Sequence, residues 1–476
     1  MTIWVSDSNV AITLKKTKIL CTVGPASISQ EVLRSMYQAG MNGVRINTAF
    51  GSFSQYEEII KNVQKIGDIP VLLDLKGPEI RVKLAGTMDL KTGYVVEIGS
   101  ENPIEFNYNI YTQLNIGDKV LIDDGKVSMM IEEKDKRQIR LVVERGGKVE
   151  DGKGVNIPGK RFTVPSVSVN DVKALILLEK HHIEFIALSF VREREDITNL
   201  RNIIRDRHVE IIAKIENQQG VENFEEILKE ADGIMVARGD LGVEIDLERV
   251  PLIQKQMIQR CNQEGKLAIT ATEMLESMTN SPTPTRAEVS DVANAILDGT
   301  DTLMLSGETA IGKYPVKAVS MMTRIAEQIE GSIQTKVKEE QFRNISSTVS
   351  RSIWQIAETM PLDKVITMTR TGYTAKVITR FKLHQPIIAI TASKIVKNQL
   401  DLYYGVQPIQ FDYEAGTDQI LSVAQMLQSK GILREEDTVI FTAGMRTSEP
   451  HASNLIEIHT IKELLDFRYA TNASVG

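Results

Sequence analysis

A chain of 476 residues, with 42% hydrophobic and 25% charged residues, is too long for one ordinary domain and has the composition of a folded globular protein. A formal charge of −7 makes the chain a poor general binder of nucleic acid or acidic membranes, so any anion must meet a local cluster of Lys and Arg. Cys21 and Cys261 lie in separate apolar runs, which indicates reduced core thiols. No apolar stretch reaches membrane-spanning length, and we expect a cytoplasmic protein.

Within residues 1–76, short β-branched runs alternate with helical patterns from Thr17 onward, as is typical of βα units and a parallel sheet. The alternation stops at Gly77-Pro78. Residues 77–157 instead contain many short strand-like runs separated by Gly and Asp turn signals, and the chain returns at Pro158-Gly159. We therefore predict an inserted, β-rich lid domain over residues 77–157, joined to the rest of the chain by two hinge-like crossings.

The βα alternation resumes over residues 158–335. Three strand runs before the insertion and five after it make eight, and eight right-handed βα units close into an α/β fold, the (β/α)8 TIM barrel. Catalytic groups of that fold lie at the C-terminal ends of the strands. Polar side chains occur at these positions: Arg45, Asn47, Asp74, Lys76, Ser189, Lys214, Glu216, Asp240, Thr272, Ser306 and Glu308.

Residues 345–476 follow a charged linker and have their own alternation of strands and helices, which predicts a C-terminal open α/β domain. One turn of this domain, between a strand and a helix, carries Thr369, Thr371, Gly372 and Thr374. The turn could hold a phosphate group of an effector, or it could be an ordinary capped turn. Both interpretations stay open.

The predicted mouth of the barrel has the residue types of anion chemistry. Arg45 and Arg81 suit phosphate oxygens, and Lys214 suits a phosphoryl group in transfer. Glu216 and Asp240 offer oxygen ligands for Mg²⁺ or Mn²⁺. Each residue alone could equally form a structural ion pair, since Lys214 and Glu216 point to the same side of one strand. Their joint placement at strand ends favours a functional site.

Gly239 and Gly242 flank Asp240. They either let the backbone approach a ligand closely or belong to a turn that needs positive φ. None of the six histidines falls at the end of a predicted barrel strand, so the sequence offers no obvious histidine base.

A family resemblance is carried by eight runs: TKILCTVGPAS, AGMNGVRIN, LDLKGPEIR, KGVNIPG, IIAKIENQQGV, DGIMVARGDLGVEI, ATEMLESM and PTRAEVSDVANAILDGTDTLMLSGETAIGKYP. These runs resemble those of the pyruvate kinase family over nearly all of the barrel and both hinges, and the C-terminal domain matches only loosely. The resemblance implies a barrel, a β-rich lid and a C-terminal regulatory domain, usually as a homotetramer. It also implies phosphoryl transfer from phosphoenolpyruvate to ADP, giving pyruvate and ATP, the last step of glycolysis.

The resemblance further implies a role for each matching residue. Lys214 would stabilise the moving phosphoryl group, and Arg45 would contact the phosphate. Gly239, Asp240 and Thr272 would meet the substrate, with Thr272 near the enolate carbon that takes up a proton. The matching Mg²⁺ ligands are Glu216 and Asp240, and the matching nucleotide contacts are Asn47, Arg81 and Lys153. Closure of the lid would bring Arg81 and Lys153 over ADP and exclude water.

The chain departs from the family pattern around a site for K⁺. Ala49 replaces a hydroxyl that commonly ligates the ion, whereas Asn47, Asp74 and the backbone carbonyl of Leu75 remain. Glu79 is a nearby negative charge that a bound cation would help to balance. The need for K⁺ is therefore open at the level of the sequence.

Two other functions fit parts of the sequence. A metal-dependent lyase or aldolase would act on pyruvate or oxaloacetate with Lys214 as a Schiff base or an acid. A non-catalytic phosphosugar-binding protein is disfavoured by the presence of Lys214, Glu216, Asp240 and Thr272 together. The loop at residues 442–454 lacks the close match that would identify a fructose-bisphosphate site, so the effector could be another phosphorylated sugar, a nucleotide or none.

Overall fold

The computed structural model describes residues 3–4, 11–12, 15–100, 102–160, 162–205, 208–334, 344–413, 419–444 and 453–466. No helix within these ranges is long and apolar enough to span a membrane. Cys21 and Cys261 are buried free thiols, as predicted.

The chain starts with two short antiparallel strands, β1 (Ile3–Trp4) and β2 (Ala11–Ile12), and then enters a barrel. The first part of the barrel has the predicted order of strand, helix, strand, helix and strand. Its elements are β3 (Lys18–Thr22), α1 (Gln30–Gln38), β4 (Gly43–Asn47), α2 (Phe53–Gln64) and β5 (Val71–Leu75).

The inserted segment is built from strands apart from one turn of 3-10 helix at Tyr111–Gln113. Its strands are β6 (Val82–Leu84), β7 (Thr87–Leu90), β8 (Val95–Gly99), β9 (Ile104–Phe106), β10 (Lys119–Ile122), β11 (Val127–Lys134), β12 (Gln138–Arg145), β13 (Gly147–Glu150) and β14 (Val155–Asn156). Seven of them form a sheet in the order β14-β10-β11-β12-β8-β9-β6, and β7 pairs with β13. The predicted β-rich insertion is confirmed.

The second part of the barrel supplies five more parallel strands. Its elements are α3 (Val169–Leu175), α4 (Leu177–Lys180), β15 (Phe185–Leu188), α5 (Arg194–Ile204), β16 (Glu210–Ile215), α6 (Gln218–Glu222), α7 (Phe224–Glu230), β17 (Gly233–Ala237), α8 (Arg238–Glu244), α9 (Val250–Glu264), β18 (Leu267–Ala271), α10 (Arg286–Leu297), β19 (Thr302–Leu305), α11 (Gly307–Ala310) and α12 (Pro315–Ile329). Local signals define the helix ends. A proline lies in the first turn of α9, and Gly265, with φ 67°, caps its C-terminus. Thr285 with Glu288 forms a capping box for α10.

The eight strands close in the order β15-β16-β17-β18-β19-β3-β4-β5, which confirms the predicted TIM barrel. Leu20, Leu72 and Ile212 belong to one buried core cluster. Each lies two residues before a polar residue at the end of its strand, respectively Thr22, Asp74 and Lys214. Since side chains alternate along a strand, those polar residues point to the same inward side. Apolar side chains fill the interior of the barrel, and polar side chains line its mouth at the ends of the strands.

Hydrogen bonds attach the lid segment to the barrel at both of its crossings. The carboxylate of Asp171, on α3, accepts from the backbone N–H of Lys76 at 2.9 Å and of Gly77 at 3.4 Å, at the point where the chain leaves the barrel. Near the return, Asn156 Nδ2 donates to Glu244 Oε1, on α8, at 2.8 Å. Both crossings are therefore attached to elements that surround the barrel mouth.

The C-terminal segment forms a five-stranded open sheet with flanking helices, as predicted. Its elements are α13 (Ile345–Thr359), β20 (Lys364–Met368), α14 (Tyr373–Thr379), β21 (Ile387–Thr391), α15 (Lys394–Leu400), β22 (Val406–Gln410), α16 (Gln419–Ser429), β23 (Thr438–Ala443) and β24 (Leu455–Thr460). The strand order is β22-β21-β20-β23-β24, with β24 antiparallel to β23.

This sheet packs against the N-terminal ends of the barrel strands, opposite the mouth. Lys18, the first residue of β3, donates through Nζ to Val406 O at 2.6 Å. Glu210, the first residue of β16, accepts from Tyr403 Oη at 3.1 Å and pairs with Lys376 on α14. Apolar side chains of the two parts share one buried cluster. The C-terminal segment therefore contacts the opposite ends of the strands that carry the mouth residues.

Candidate active site

Lys214 lies near the C-terminal end of β16, and its ammonium group donates to three oxygen atoms. Nζ lies 2.7 Å from Ser189 Oγ, 3.2 Å from Asp74 Oδ1 and 2.9 Å from Glu216 Oε1. Three acceptors match the three N–H groups of an ammonium. Burial by itself lowers the pKa of Lys214, but Asp74 and Glu216 outweigh it and raise that pKa above its usual value. Lys214 is a fixed positive charge held in one orientation.

Asp74 connects Lys214 to Arg45. Its Oδ2 accepts from Arg45 Nε at 2.7 Å and lies 2.6 Å from Arg45 Nη2, while Arg45 Nη1 donates to Thr22 Oγ1 at 2.9 Å. Burial raises the pKa of Asp74, but Lys214 and Arg45 hold it below its usual value. A guanidinium has five N–H donors, and these contacts among the described residues use three of them. The other two suit a phosphate group.

Glu216 and Asp240 are buried carboxylates whose pKa values are both raised. Burial raises the pKa of Glu216 to about 7 against the effect of Lys214, and the charge of Asp240 adds to the rise. Burial also raises the pKa of Asp240, and the charge of Glu79 contributes. Two carboxylates with raised pKa values fit a divalent cation, because a positive ion would restore their ionised forms. Within the described ranges, no group of three or more His, Cys, Asp or Glu side chains has the arrangement of a metal site.

Thr272 follows β18 and has a left-handed backbone with φ 63°. Its Oγ1 accepts from Gly239 N at 2.9 Å and donates to Ala271 O at 2.7 Å. The first turn of α8, which carries Gly239 and Asp240, is thus hydrogen-bonded to the end of the next strand. The structure brings together Thr272 and Gly239, two residues that the sequence predicted to share a substrate.

Gly239 and Gly242 both lie in helix α8, and neither has a positive φ. The alternative prediction of a positive-φ turn here is wrong, because the chain enters a helix directly after β17. A Cβ on Gly239 would lie 3.5 Å from Thr272 Oγ1, which is ordinary van der Waals contact. Contact with Thr272 therefore does not require a glycine at this position, and the close approach of a ligand to Gly239 stays a prediction.

Arg81 and Lys153 are far apart in sequence but lie on paired segments of the lid. Arg81 forms an antiparallel bridge with Gly154, the residue after Lys153. The Arg81 guanidinium bonds the Glu79 carboxylate, and Lys153 Nζ lies 3.0 Å from Asp123 Oδ1. Burial raises the pKa of Glu79 against the effect of Arg81. Arg81 and Lys153, the two cations predicted to contact a nucleotide, thus both lie at the base of the lid.

The two side chains predicted to ligate K⁺, those of Asn47 and Asp74, already accept hydrogen bonds through their oxygens. Asn47 Oδ1 accepts from Ala49 N at 3.0 Å. The backbone carbonyl of Asp74 accepts from the N–H of Thr48 at 3.0 Å and from its hydroxyl at 2.8 Å. Leu75 is buried at the end of β5. Thr48 thus places a hydroxyl donor beside the position where Ala49 lacks a hydroxyl ligand.

The turn at residues 369–374 of the C-terminal sheet is closed by its own side chains. Thr369 Oγ1 accepts from Gly372 N at 3.0 Å, and Gly372 has φ 79°. Thr374 Oγ1 lies 2.5 Å from Ser453 Oγ. These contacts fit the interpretation as a capped turn. In the loop at residues 442–454, positions 445–452 lie outside the described residues.

Sequence reasoning assigned no role to three residues of the site. Ser189 accepts from Lys214, and the backbone N–H of Phe190 donates to Glu216 Oε2 at 2.7 Å. The third is Arg238, whose guanidinium contacts the backbone of residues 272 and 273. Ser189 was visible as a polar residue at a strand end. The contacts of Phe190 and Arg238 had no sequence signal, because they depend on which loops meet across the barrel.

The molecule is a closed parallel barrel with a β-rich insertion after its third strand. A lysine and an arginine bind a shared aspartate at its mouth. Comparison with known proteins identifies it as a barrel phosphotransferase. Two family models match the chain, "Pyruvate kinase, barrel domain" over residues 14–319 and "Pyruvate kinase, alpha/beta domain" over residues 347–459. The chain belongs to the pyruvate kinase family, and its function is that of a pyruvate kinase.

Curated relatives support the family membership over nearly the full length of this chain. A pyruvate kinase of Bacillus licheniformis is 39% identical over 477 residues, which is 95% of this chain and 81% of the relative. One from Geobacillus stearothermophilus is 40% identical over the same shares of the two chains. One from Staphylococcus aureus is 37% identical, over 94% of this chain and 81% of the relative.

Proposed function

We propose that the barrel mouth transfers the phosphoryl group of phosphoenolpyruvate to ADP, giving pyruvate and ATP. The observation that carries this proposal is the position of Lys214, an ammonium fixed between Asp74, Ser189 and Glu216 and linked through Asp74 to Arg45. An oriented cation next to an arginine with spare donors suits a phosphoryl group, whose charge is spread over three oxygens during transfer.

Each mouth residue then has one task. Arg45 binds the phosphate, and Lys214 stabilises its charge while the bond to the enol oxygen breaks and a bond to ADP forms. Glu216 and Asp240 would hold Mg²⁺ or Mn²⁺, which when bound neutralises charge on the phosphate oxygens. The enolate left behind takes up one proton at its terminal carbon, from a water held by Thr272.

The lid supplies the nucleotide side of the site in this proposal. Arg81 and Lys153 lie on paired segments at its base, and with Asn47 on β4 they would contact ADP. Closure of the lid over them excludes water, which protects the phosphoryl group from hydrolysis. The contact of Asn156 with Glu244 attaches the lid to α8, the helix that carries Asp240.

A direct assay tests the proposal. The wild type should form pyruvate from phosphoenolpyruvate only when both ADP and Mg²⁺ are present, and ATP should appear in equal amount. Chelation of the metal by EDTA should abolish the reaction. A wild type that makes no ATP under these conditions would contradict the proposed function.

The lyase or aldolase alternative makes a different prediction for Lys214. A Schiff base needs an unprotonated amine, usually through a lowered pKa, whereas the pKa of Lys214 is raised by its carboxylate neighbours once they outweigh burial. Borohydride with pyruvate or oxaloacetate should therefore leave Lys214 unmodified, as mass spectrometry of the peptide would show. Trapping at Lys214 would favour the alternative.

We further propose that K⁺ contributes little to this activity. The candidate ligand Asn47 is already bonded by the Ala49 N–H, and the Asp74 carboxylate is bonded by Lys214 and Arg45. Replacing K⁺ by tetramethylammonium should leave most of the pyruvate formation. The Ala49→Ser variant restores an oxygen ligand, so its rate of pyruvate formation should rise with added K⁺ more than that of the wild type. Loss of wild-type activity without K⁺ would contradict the proposal.

Regulation and assembly stay predictions. A phosphorylated effector at Thr369, Thr371, Gly372 and Thr374, a homotetramer and a cytoplasmic location rest on the sequence resemblance and on composition. The contact of α14 with Glu210 offers such an effector a direct connection to β16, because α14 begins at that turn and β16 carries Lys214.

A further inference from the structure

Two consecutive residues after β18 have a backbone conformation that non-glycine residues seldom adopt. Thr272 has φ 63° and Glu273 has φ 52°. The conformation is especially unfavourable for Thr because it is β-branched. Residues in such regions persist only where surrounding contacts hold them, and they cluster at functional sites. Contacts from neighbouring residues must therefore keep Thr272 in place.

Arg238 holds this left-handed turn through both of its carbonyl groups. Its Nη2 donates to Thr272 O at 2.6 Å and to Glu273 O at 3.1 Å. On the other side, Nη1 lies 2.8 Å and 2.6 Å from the two carboxylate oxygens of Asp291, on α10. The guanidinium is buried, with Met274 Sδ 2.9 Å from Nη2. Charge-assisted bonds of this kind are about twice as strong as neutral ones, so Arg238 anchors the turn to a helix of the barrel.

The same arginine begins helix α8, so it links two groups of residues assigned to substrate. Gly239 and Asp240 follow it directly in the chain. Gly239 N also donates to Thr272 Oγ1 at 2.9 Å. The side chain of Arg238 thus fixes the backbone of Thr272, while the residue after Arg238 fixes the Thr272 hydroxyl.

We propose that Arg238 is a positioning residue for the protonation step and acts through Thr272. The inference rests on the proposed function, in which a water held by Thr272 supplies the proton to the enolate. Arg238 directs its donors at the backbone of the Thr272 turn and at Asp291. Lys214, Asp74 and Arg45 form a separate set of contacts around the phosphoryl group. Loss of Arg238 should therefore release Thr272 and leave the phosphoryl-transfer contacts in place.

The test compares two rates in the same protein. Phosphoryl transfer is measured as ATP formation from phosphoenolpyruvate and ADP in a single turnover. Protonation is measured in reverse, as exchange of the pyruvate methyl hydrogens with deuterated water in the presence of Mg²⁺ and ATP, followed by NMR. In Arg238→Met the exchange should slow by about 100-fold, the effect of a misplaced group at a reacting centre. ATP formation should fall by much less, so the ratio of the two rates changes.

Two further variants guard against a simple loss of folding. Arg238→Lys keeps the charge beside Asp291 but cannot reach both carbonyls with one planar group, and its exchange rate should lie between those of the wild type and Arg238→Met. Asp291→Asn removes the anchor without touching the turn and should change the ratio in the same direction.

Arg201→Met serves as the matched control. Arg201 Nη2 also binds a carboxylate and a backbone carbonyl, at 2.8 Å from Asp232 Oδ2 and 3.4 Å from Glu230 O, but on α5 outside the mouth. The Arg201→Met variant should leave the ratio of the exchange rate to the rate of ATP formation unchanged.

Three results decide between the inference and its alternatives. Equal falls in both rates for all Arg238 and Asp291 variants would show a general structural role and overturn the inference. Unchanged exchange in a folded Arg238→Met protein would overturn it as well. A wild type that neither makes ATP nor exchanges pyruvate hydrogens would instead overturn the proposed function, and the inference with it.

Discussion

Replacing Lys214 by Met should lower the kcat of ADP-dependent pyruvate formation by about 10³- to 10⁵-fold, the range found for a single cation that stabilises phosphoryl transfer. The variant removes the only charge that contacts both Asp74 and Glu216 among the described residues. Methionine has nearly the same length and no donor, so the change isolates the charge. The KM for phosphoenolpyruvate should rise less, because Arg45 still binds the phosphate.

Lys266→Met is the matched control for this loss. The Lys266 ammonium also has three acceptors, the backbone carbonyls of Leu228, Lys229 and Ala231 at 2.5, 2.9 and 2.7 Å. It precedes β18, at the end of the barrel away from the mouth. This variant should lose stability, ~1–3 kcal/mol for the carbonyls left unpaired, and keep its kcat. If folded Lys214→Met protein retains kcat within tenfold of the wild type, the role assigned to Lys214 is wrong.

The sequence predicted the barrel and the insertion because both depend on local patterns. Period-two and helical periodicities recur along the chain, and Gly77-Pro78 and Pro158-Gly159 mark the crossings between them. The same local patterns predicted that the side chains of Lys214 and Glu216 point to one side of a strand; β16 ends at Ile215, and the two side chains do meet.

Contacts between residues of different barrel strands could not be predicted from these local patterns. The sequence assigned Asp74 only to a monovalent ion, whereas the structure shows it between Lys214 and Arg45. These three residues come from three strands, and their closeness depends on the order and register in which the strands close. The positive φ of Thr272 has the same origin, because a tertiary contact from Arg238 overrides the local preference of a threonine.

A pair of buried charges should control how firmly the C-terminal sheet is attached to the barrel. Lys382 Nζ lies 2.5 Å from Asp301 Oδ1, and both side chains are almost fully buried. Asp301 Oδ2 also accepts from Ala268 N, at 2.9 Å, next to the start of β18. Burial lowers the pKa of Lys382 although Asp301 opposes it. Each charge is thus tolerated because the other is present.

Lys382→Met should therefore destabilise the protein by ~3–5 kcal/mol, the usual effect of leaving one buried charge without its partner. The thermal midpoint should fall by roughly 6–20 °C, at about 2–4 °C per kcal/mol for a domain of this size. Differential scanning calorimetry measures the midpoint, and limited proteolysis shows whether the C-terminal sheet opens first.

Lys255→Met and a double variant test whether the loss of stability in Lys382→Met comes from the buried charge pair or from the removal of a lysine as such. Lys255 also pairs with an aspartate, Asp298, but its side chain is 62% exposed, so its removal should change stability by no more than ~1 kcal/mol. Adding Asp301→Asn to Lys382→Met removes the orphaned charge and should recover part of the lost midpoint. If Lys382→Met behaves like Lys255→Met, the buried pair does not stabilise the junction, and the shared apolar cluster with the contacts of Lys18 and Glu210 must hold the two parts together.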